Sequence, residues 1–443
     1  MKKNILIAVL TLLAFTASAS GQPLRGSYFF ETSLMRNKLN ASFAPQNIYI
    51  SLPLISYTGI DCYSNVGLAH FFFRQGKNAN VTFLHPSIST DQFLSNLPAK
   101  DPFVKERLET DVIGAGFPLG ERGFLHFDLA VVENADVQIP KELLRFAKSG
   151  GSATIHDLNA SAGAYAQLAL GYSHDLGDIV EGLHLGGRVK FLTGVAAAEA
   201  NVSRVDIVMD GQQLAATTSG TGYLAGFDFE DFNNWSNLGL NGFGLAFDLG
   251  VEYRIPFDHF FNGLNLSASV NDLGFLGFNK HVTKLSSSGS ASFSGFQGID
   301  PEYDFNTNLQ NVFDDFSKLA NYSASSADKF SYKLSPSIYV GAEAPFLHEM
   351  MSLGLLYYYT KGCHNLMASY NLKPIRWFNF GVNYTFLGPA RTFGLYIEFI
   401  PKKVVGIFAG ANVASFKTNS WGIPIKNLTE SACFGINVVF GGK

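Results

Sequence analysis

An all-β, transmembrane antiparallel barrel is the fold this sequence predicts, on three observations. It opens with an export signal, its composition is aromatic-rich and charge-poor, and long segments alternate strictly. Of the 443 residues only 15% are charged, while 14% are aromatic, with 41 Phe and 18 Tyr. Soluble proteins carry about 25% charged residues. Past the N-terminal stretch no apolar run reaches the roughly 20 residues that a membrane helix needs. Apolar content without apolar runs is what alternation produces, one side chain toward lipid and the next toward the lumen.

The signal is read first. Lys2 and Lys3 supply the positive start, Ile5 to Phe15 the apolar region, and Ala17-Ser18-Ala19 the small residues of a cleavage site. Residues 1–19 are therefore read as a signal peptide. No Cys follows the apolar region, which argues against a lipid anchor. The expected destination is the outer membrane of a Gram-negative bacterium, with membrane lipid as the first partner.

The alternation is clearest in four segments. Phe243, Leu245, Phe247, Leu249, Val251, Tyr253 and Ile255 oppose Gly242, Gly244, Ala246, Asp248, Gly250, Glu252 and Arg254. Phe378, Phe380, Val382, Tyr384 and Phe386 oppose Trp377, Asn379, Gly381, Asn383 and Thr385. Phe393 to Phe399 and Phe434 to Phe440 repeat the pattern. Soluble sandwiches alternate too, but over strands of about five or six residues; the longest run here matches a tilted membrane crossing.

Connections alternate short and long. Turns are tight at Pro401-Lys402-Lys403, Lys373 to Arg376 and Gly120 to Arg122. Long polar segments lie at Arg74 to Glu106, Val137 to Ala153, Gln297 to Lys329 and Phe416 to Ser431. With the last strand ending in the periplasm, the long ones fall outside, provided a weak strand spans Asn65 to Phe73. Phe227 to Asn241 breaks the rule as a long periplasmic connection. Direct counting gives about sixteen candidate strands, and closure requires an even number. Short helices are expected in two loops, at Lys141 to Lys148 and around Leu309, Val312, Phe313, Phe316 and Leu319. Each is read as a lid or as a helix packing its loop onto the rim. Ser286 to Ser294 is read as an exposed strand or a loop.

Chemistry is largely absent. The ten His show no HxH or HExxH pair, so neither a metal nor another cofactor is expected. Gly171-Tyr172-Ser173-His174-Asp175 lacks the second Gly of a nucleophile elbow, and its neighbouring side chains point to alternate faces. No catalytic residue is assigned. The formal charge of −4, without a basic stripe, excludes nucleic acid as an evident partner. Three Cys allow at most one internal disulfide. What remains is an inward charge set, Arg188, Lys190, Asp248, Glu252, Arg254 and Glu398, with Lys333 and Glu343 on a further strand. These are candidates for lining or gating the lumen; the alternative is that they only neutralise one another.

The N-terminal stretch differs from the strands. Met35 to Pro53 carries Pro45 and Pro53, which do not suit a central strand. Folded inside the barrel, its Arg36 and Lys38 would reach lumen acids such as Asp248 and Glu252. The alternative is an ordinary first strand behind a disordered tail. Met35-Arg36-Asn37-Lys38-Leu39-Asn40-Ala41-Ser42-Phe43-Ala44-Pro45, the following Gln46 to Leu54, and Val270-Asn271-Asp272-Leu273-Gly274-Phe275-Leu276-Gly277-Phe278 resemble an uncharacterised Bacteroidota outer-membrane family known only as a domain of unknown function. The resemblance covers essentially the whole mature chain. That family is similar to FadL-type barrels, fatty-acid channels of fourteen strands with an N-terminal hatch. The resemblance implies fourteen strands rather than sixteen, a hatch over residues 20–56 that includes Arg36, Lys38, Asn40 and Pro45, and a barrel over 57–443. The FadL-type Asn-Pro-Ala is here Asn40-Ala41-Ser42.

Two function classes follow. One is a FadL-like channel for small solutes, hydrophobic ones included. The other is a scaffold or shuttle that binds a secreted or surface protein through long outer loops bearing Asp300, Glu302, Asp304, Asp314 and Asp315. An outer-membrane enzyme is a distant third.

Overall fold

Strict alternation over long segments gives strands that bury one face and leave an apolar face outside, and such strands are stable only when every edge is paired. The computed structural model describes residues 25–75, 79–210, 213–226, 239–257, 261, 263–293, 323–375, 377–401, 404–414 and 429–440. The signal-peptide reading, the second loop helix and the acidic positions from Asp300 to Asp315 lie outside these residues.

Fourteen staves close the wall. The first, β1, is split into Ile48–Ser51 and Thr58–Ser64. It is followed by β2 Phe103–Leu119, β3 Gly123–Gln138, β4 Ala153–Asp175, β5 Leu183–Asp210, β6 Gly242–Ile255 and β7 Leu264–Phe278. The second half comprises β8 Ser337–Phe346, β9 Met351–Thr360, β10 Cys363–Ile375, β11 Phe378–Leu387, β12 Thr392–Phe399, β13 Val405–Val413 and β14 Glu430–Phe440. Each pairs antiparallel with its neighbours, and both pieces of β1 pair with β2 on one side and β14 on the other. The sheet is thereby closed.

The direct count of sixteen is corrected to fourteen because some strands leave the wall. The distal half of β5 rises past the rim and pairs with Gln213–Ala225, which pairs with Thr283–Phe293, itself paired with Ser323–Ser326. This places the start of the Phe227 to Asn241 connection on the long-loop side, so it does not break the loop rule. The weak strand at Asn65 to Phe73 is replaced by a helix, Leu68–Phe71, and a hairpin strand, Phe72–Gln75, outside the wall. Helix α1, Lys141–Ser149, forms as expected. Its Leu144 packs with Phe93 and its Phe146 with Ile155 and Ile207, which seats the loop on the rim.

The facing of the staves follows the alternation. Phe243, Leu249 and Phe275 are 61%, 56% and 55% exposed on the outer face, while Arg188, Lys190, Asp248 and Asn379 are buried inside. Two assignments change. Trp377 sits in the turn before β11 and is exposed. Lys333 is exposed although Glu343 is buried, because Phe330–Lys333 is a separate short strand and the break through Pro336 resets the phase.

Candidate functional site: a filled lumen

Residues 25–47 lie against the inward faces of the staves, and short 3₁₀ turns at Arg25–Ser27 and Arg36–Lys38 fold the segment compactly. Its side chains divide by chemistry. Tyr28, Phe29, Phe30, Leu34, Met35 and Phe43 join Tyr339, Leu356, Tyr358, Met367, Tyr396 and Phe408 of the second half of the wall in one apolar cluster. The Phe30 ring stacks on Tyr396 at 5.5 Å between centroids. Arg36, Lys38 and Asn40 instead meet polar and charged groups of β2, β3, β6 and β7. Tyr49, Tyr63 and Phe124 carry this cluster onto β1 and β3, and Glu343 and Glu398 are buried on the second half. The lumen is thus mainly aromatic toward the second half and mainly charged along β2, β3, β6 and β7, with an amphipathic segment joining the two.

The charged side is an unbroken network. Lys38 Nζ lies 2.8 Å from Glu109 Oε1, 2.8 Å from Asp111 Oδ1 and 3.6 Å from Asp128 Oδ2. Arg188 joins Asp128 at 2.5 Å and Asp248 at 3.3 Å; Lys190 joins Asp248 at 2.7 Å and Asp272 at 2.6 Å. Arg107 bridges Glu109 and Asp272. Four cations therefore serve five carboxylates. Burial by itself would lower the Lys38 pKa, but Asp111, Asp128 and Glu109 hold it above the ordinary lysine value, so the ammonium stays charged.

Of the residues expected from sequence, Arg36 lies 3.6 Å from Glu252. Lys38 does not reach Asp248 or Glu252; it meets the acids of β2 and β3, while Asp248 is held by Arg188 and Lys190. Arg254, less buried, pairs with Glu31 at 3.3 Å and Glu252 at 3.0 Å. Glu398 accepts from Thr32 at 2.5 Å and Asn379 at 2.9 Å. Asn40 donates to two wall carbonyls, Val251 O at 3.2 Å and Ala268 O at 3.3 Å, and its Oδ1 accepts from Ser42. Gly250 makes this approach possible, since a Cβ there would stand 1.9 Å from Asn40 Oδ1. Pro45 is buried at the tight-turn end, beside a recess of about 460 Å³ that Arg122 and His184 also line.

Sequence reading missed Arg25, which pairs with Asp61 and lies 4.5 Å from the Tyr358 ring. It also missed Arg107, Glu109, Asp111, Asp128 and Asp272. The signal was present: Lys105, Arg107, Glu109 and Asp111 recur at every second position, the period of one strand face. Asp272 occupies a bulge of β7 with φ 61°, where the register against β6 shifts. The three Cys are free thiols. Between Lys38 and Arg107 the lumen retains a cavity of about 50 Å³. That volume admits a few waters, since one needs about 10–15 Å³; small-molecule sites are about 300 Å³ or more.

A family model described as a family of unknown function, DUF5723, matches residues 41–412. No curated protein matches the sequence. Among solved structures the chain is similar to the toluene transporter TbuX of Ralstonia pickettii, at 8% identity and a TM-score of 0.38 over 96% of this chain and 95% of that one. It is similar also to a FadL homologue of Pseudomonas aeruginosa (11% identity, TM-score 0.39, 96% and 97% covered). The third is the toluene transporter TodX of Pseudomonas putida (10% identity, TM-score 0.36, 95% and 94% covered). These likenesses are remote.

Proposed function

The chain belongs to DUF5723, a family of unknown function, and from that premise we propose that it is a plugged outer-membrane channel for small solutes with an apolar body. The observation that carries this reading is the lumen itself: a wall that is mainly aromatic on one side and mainly charged on the other, filled by one amphipathic segment of the same chain. Barrels of about eight strands fill their interior with wall side chains, whereas a wall of fourteen is too wide to be filled that way. Here the filling is a separate segment, held through ion pairs and hydrogen bonds that can exchange with water. Arg36, Lys38 and Asn40 are its fastenings, Pro45 marks its exit at the tight-turn end, and Arg188, Lys190, Asp248, Glu252, Arg254 and Glu398 form the lining it leaves behind. The long-loop end faces outward and the tight turns face the periplasm.

Planar-bilayer recording tests the reading. Deleting Arg25 to Asn40 should raise single-channel conductance severalfold while the barrel still assembles. Negligible conductance in both forms would refute the channel. The sheet that continues β4 and β5 beyond the rim favours a second reading, a scaffold for a secreted or surface protein. That reading gains if the silent barrel co-purifies with a protein whose binding is lost when the extension is shortened.

A further inference from the structure

We propose that the three-carboxylate recess around Lys38 is a recognition site for the protonated primary amine of a solute, with the Lys38 ammonium as its built-in occupant. The proposal rests on the channel reading for its access route and names the substrate class as an apolar body carrying an amine. The recess is made by Glu109, Asp111 and Asp128 on adjacent staves, with the Tyr57 ring 5.1 Å from the ammonium. Converging carboxylates beside an aromatic ring suit an ammonium, which offers three donors and a compact charge.

Lys38 fills this recess incompletely. Its nitrogen is within hydrogen-bond distance of two carboxylates, and the third stands at 3.6 Å. Glu109 has Arg107 as a second cation and Asp128 has Arg188, but among the described residues Asp111 has Lys38 alone. Asp111 is fully buried, and its Oδ2 has no hydrogen-bond partner. An ammonium not tethered to the segment's backbone can settle deeper and reach what Lys38 leaves unmet. The small cavity beside it is lined by Tyr57 and Tyr339 but also by Arg25, Arg107, Arg188 and Lys190, and it holds a few waters, so the first carbons of such a molecule find room only as the Lys38 side chain withdraws. The aromatic side of the lumen suits the remainder. A divalent metal is a poorer occupant: it takes six or more oxygen ligands, two arginines already engage these acids, and no metal-holding group occurs among the described residues. An entering amine would exchange with Lys38 and loosen the segment from β2 and β3.

Calorimetry on the full chain in detergent micelles reads the recess whether or not the barrel conducts. Lys38→Met should bind hexylammonium at least tenfold more tightly than the unsubstituted protein, and adding Asp111→Asn should remove that gain. Hexanol, hexyltrimethylammonium and sodium chloride at equal ionic strength should not reproduce it. On the unsubstituted protein, hexylammonium but not hexanol should hasten proteolysis of residues 25–47, which provides a readout if Lys38→Met does not fold. Equal binding by both forms, an equal effect of hexanol, or an equal effect of salt would overturn the proposal. Tight amine binding with silent bilayer recordings would sink the channel and keep the recess.

Discussion

Asn40 fastens the N-terminal segment to the backbone of the wall. Its amide spans two paired carbonyls, Val251 O and Ala268 O, and Leu39 O accepts from Ser269 and Asn271. Asn40→Ala removes one side of these contacts and should cost about 1–3 kcal/mol. That is roughly a 5- to 150-fold rise in the detached population, measurable as faster proteolysis of residues 25–47 with the barrel intact. Gly250→Val should detach the same turn sterically and raise conductance more than the alanine variant does. If Gly250→Val leaves proteolysis and conductance unchanged, the segment is not seated there. Legibility at this scale was uneven. Arg188, Lys190 and Asp248 were readable because one-face alternation fixes which side chains point inward. The partner of Lys38 was not, because it depends on which staves the segment faces after closure. Arg25–Asp61 joins a residue before the first stave to one within it and has no periodic signature.

Within single elements, alternation was the most dependable signal, and its failures have local causes. Leu249 is exposed on the outer face while Asp248 beside it is buried. Leu249→Arg places a charge toward lipid and should cost about 2–4 kcal/mol near the midplane, seen as loss of heat-modifiable migration on electrophoresis. Asn379→Ala, inside, should leave migration unchanged. The reverse pattern would invert the wall. A substitution at Lys333 should be silent, because the break before β8 puts that side chain outside. The start of β2 was missed because its charged, every-second-residue pattern is continuous with a polar loop. The strand count overshot because Gln213–Ala225 and Thr283–Phe293 are true strands by composition, and only pairing shows that they leave the wall.

At the scale of the whole molecule, the closed fourteen-stave wall depends on β14 bridging β13 and the split β1. Removing Glu430 to Phe440 leaves two unpaired edges in an apolar surround, where unsatisfied backbone groups cost several kcal/mol each. The truncated chain should show no heat-modifiable band and should aggregate; a persistent band would mean that the wall can reseal between β13 and β1. Fold class was legible; of the two prolines in Met35 to Pro53 only Pro45 falls in the segment against the inner wall, while Ile48–Ser51 is part of the wall and Pro53 stands in the break of β1. Fourteen staves followed from the family resemblance and not from counting, and the distribution of charge in the lumen was not legible, since both are properties of closure.

The seam between β1 and β14 has a temporal meaning. Ile48 pairs with Phe440, near opposite ends of the chain, so this zipper carries the longest loop of the fold and is expected to form late. The segment from Arg25 to Asn47 immediately precedes β1 and must already be on the inner side when the seam forms. Until then its cations and the acids of β2 and β3 sit in water, and their attraction is drawn into a dry interior only at the final step. Assembly and enclosure are one event, and substitutions at Lys38 or Asn40 should slow the last kinetic phase of folding while sparing the earlier ones.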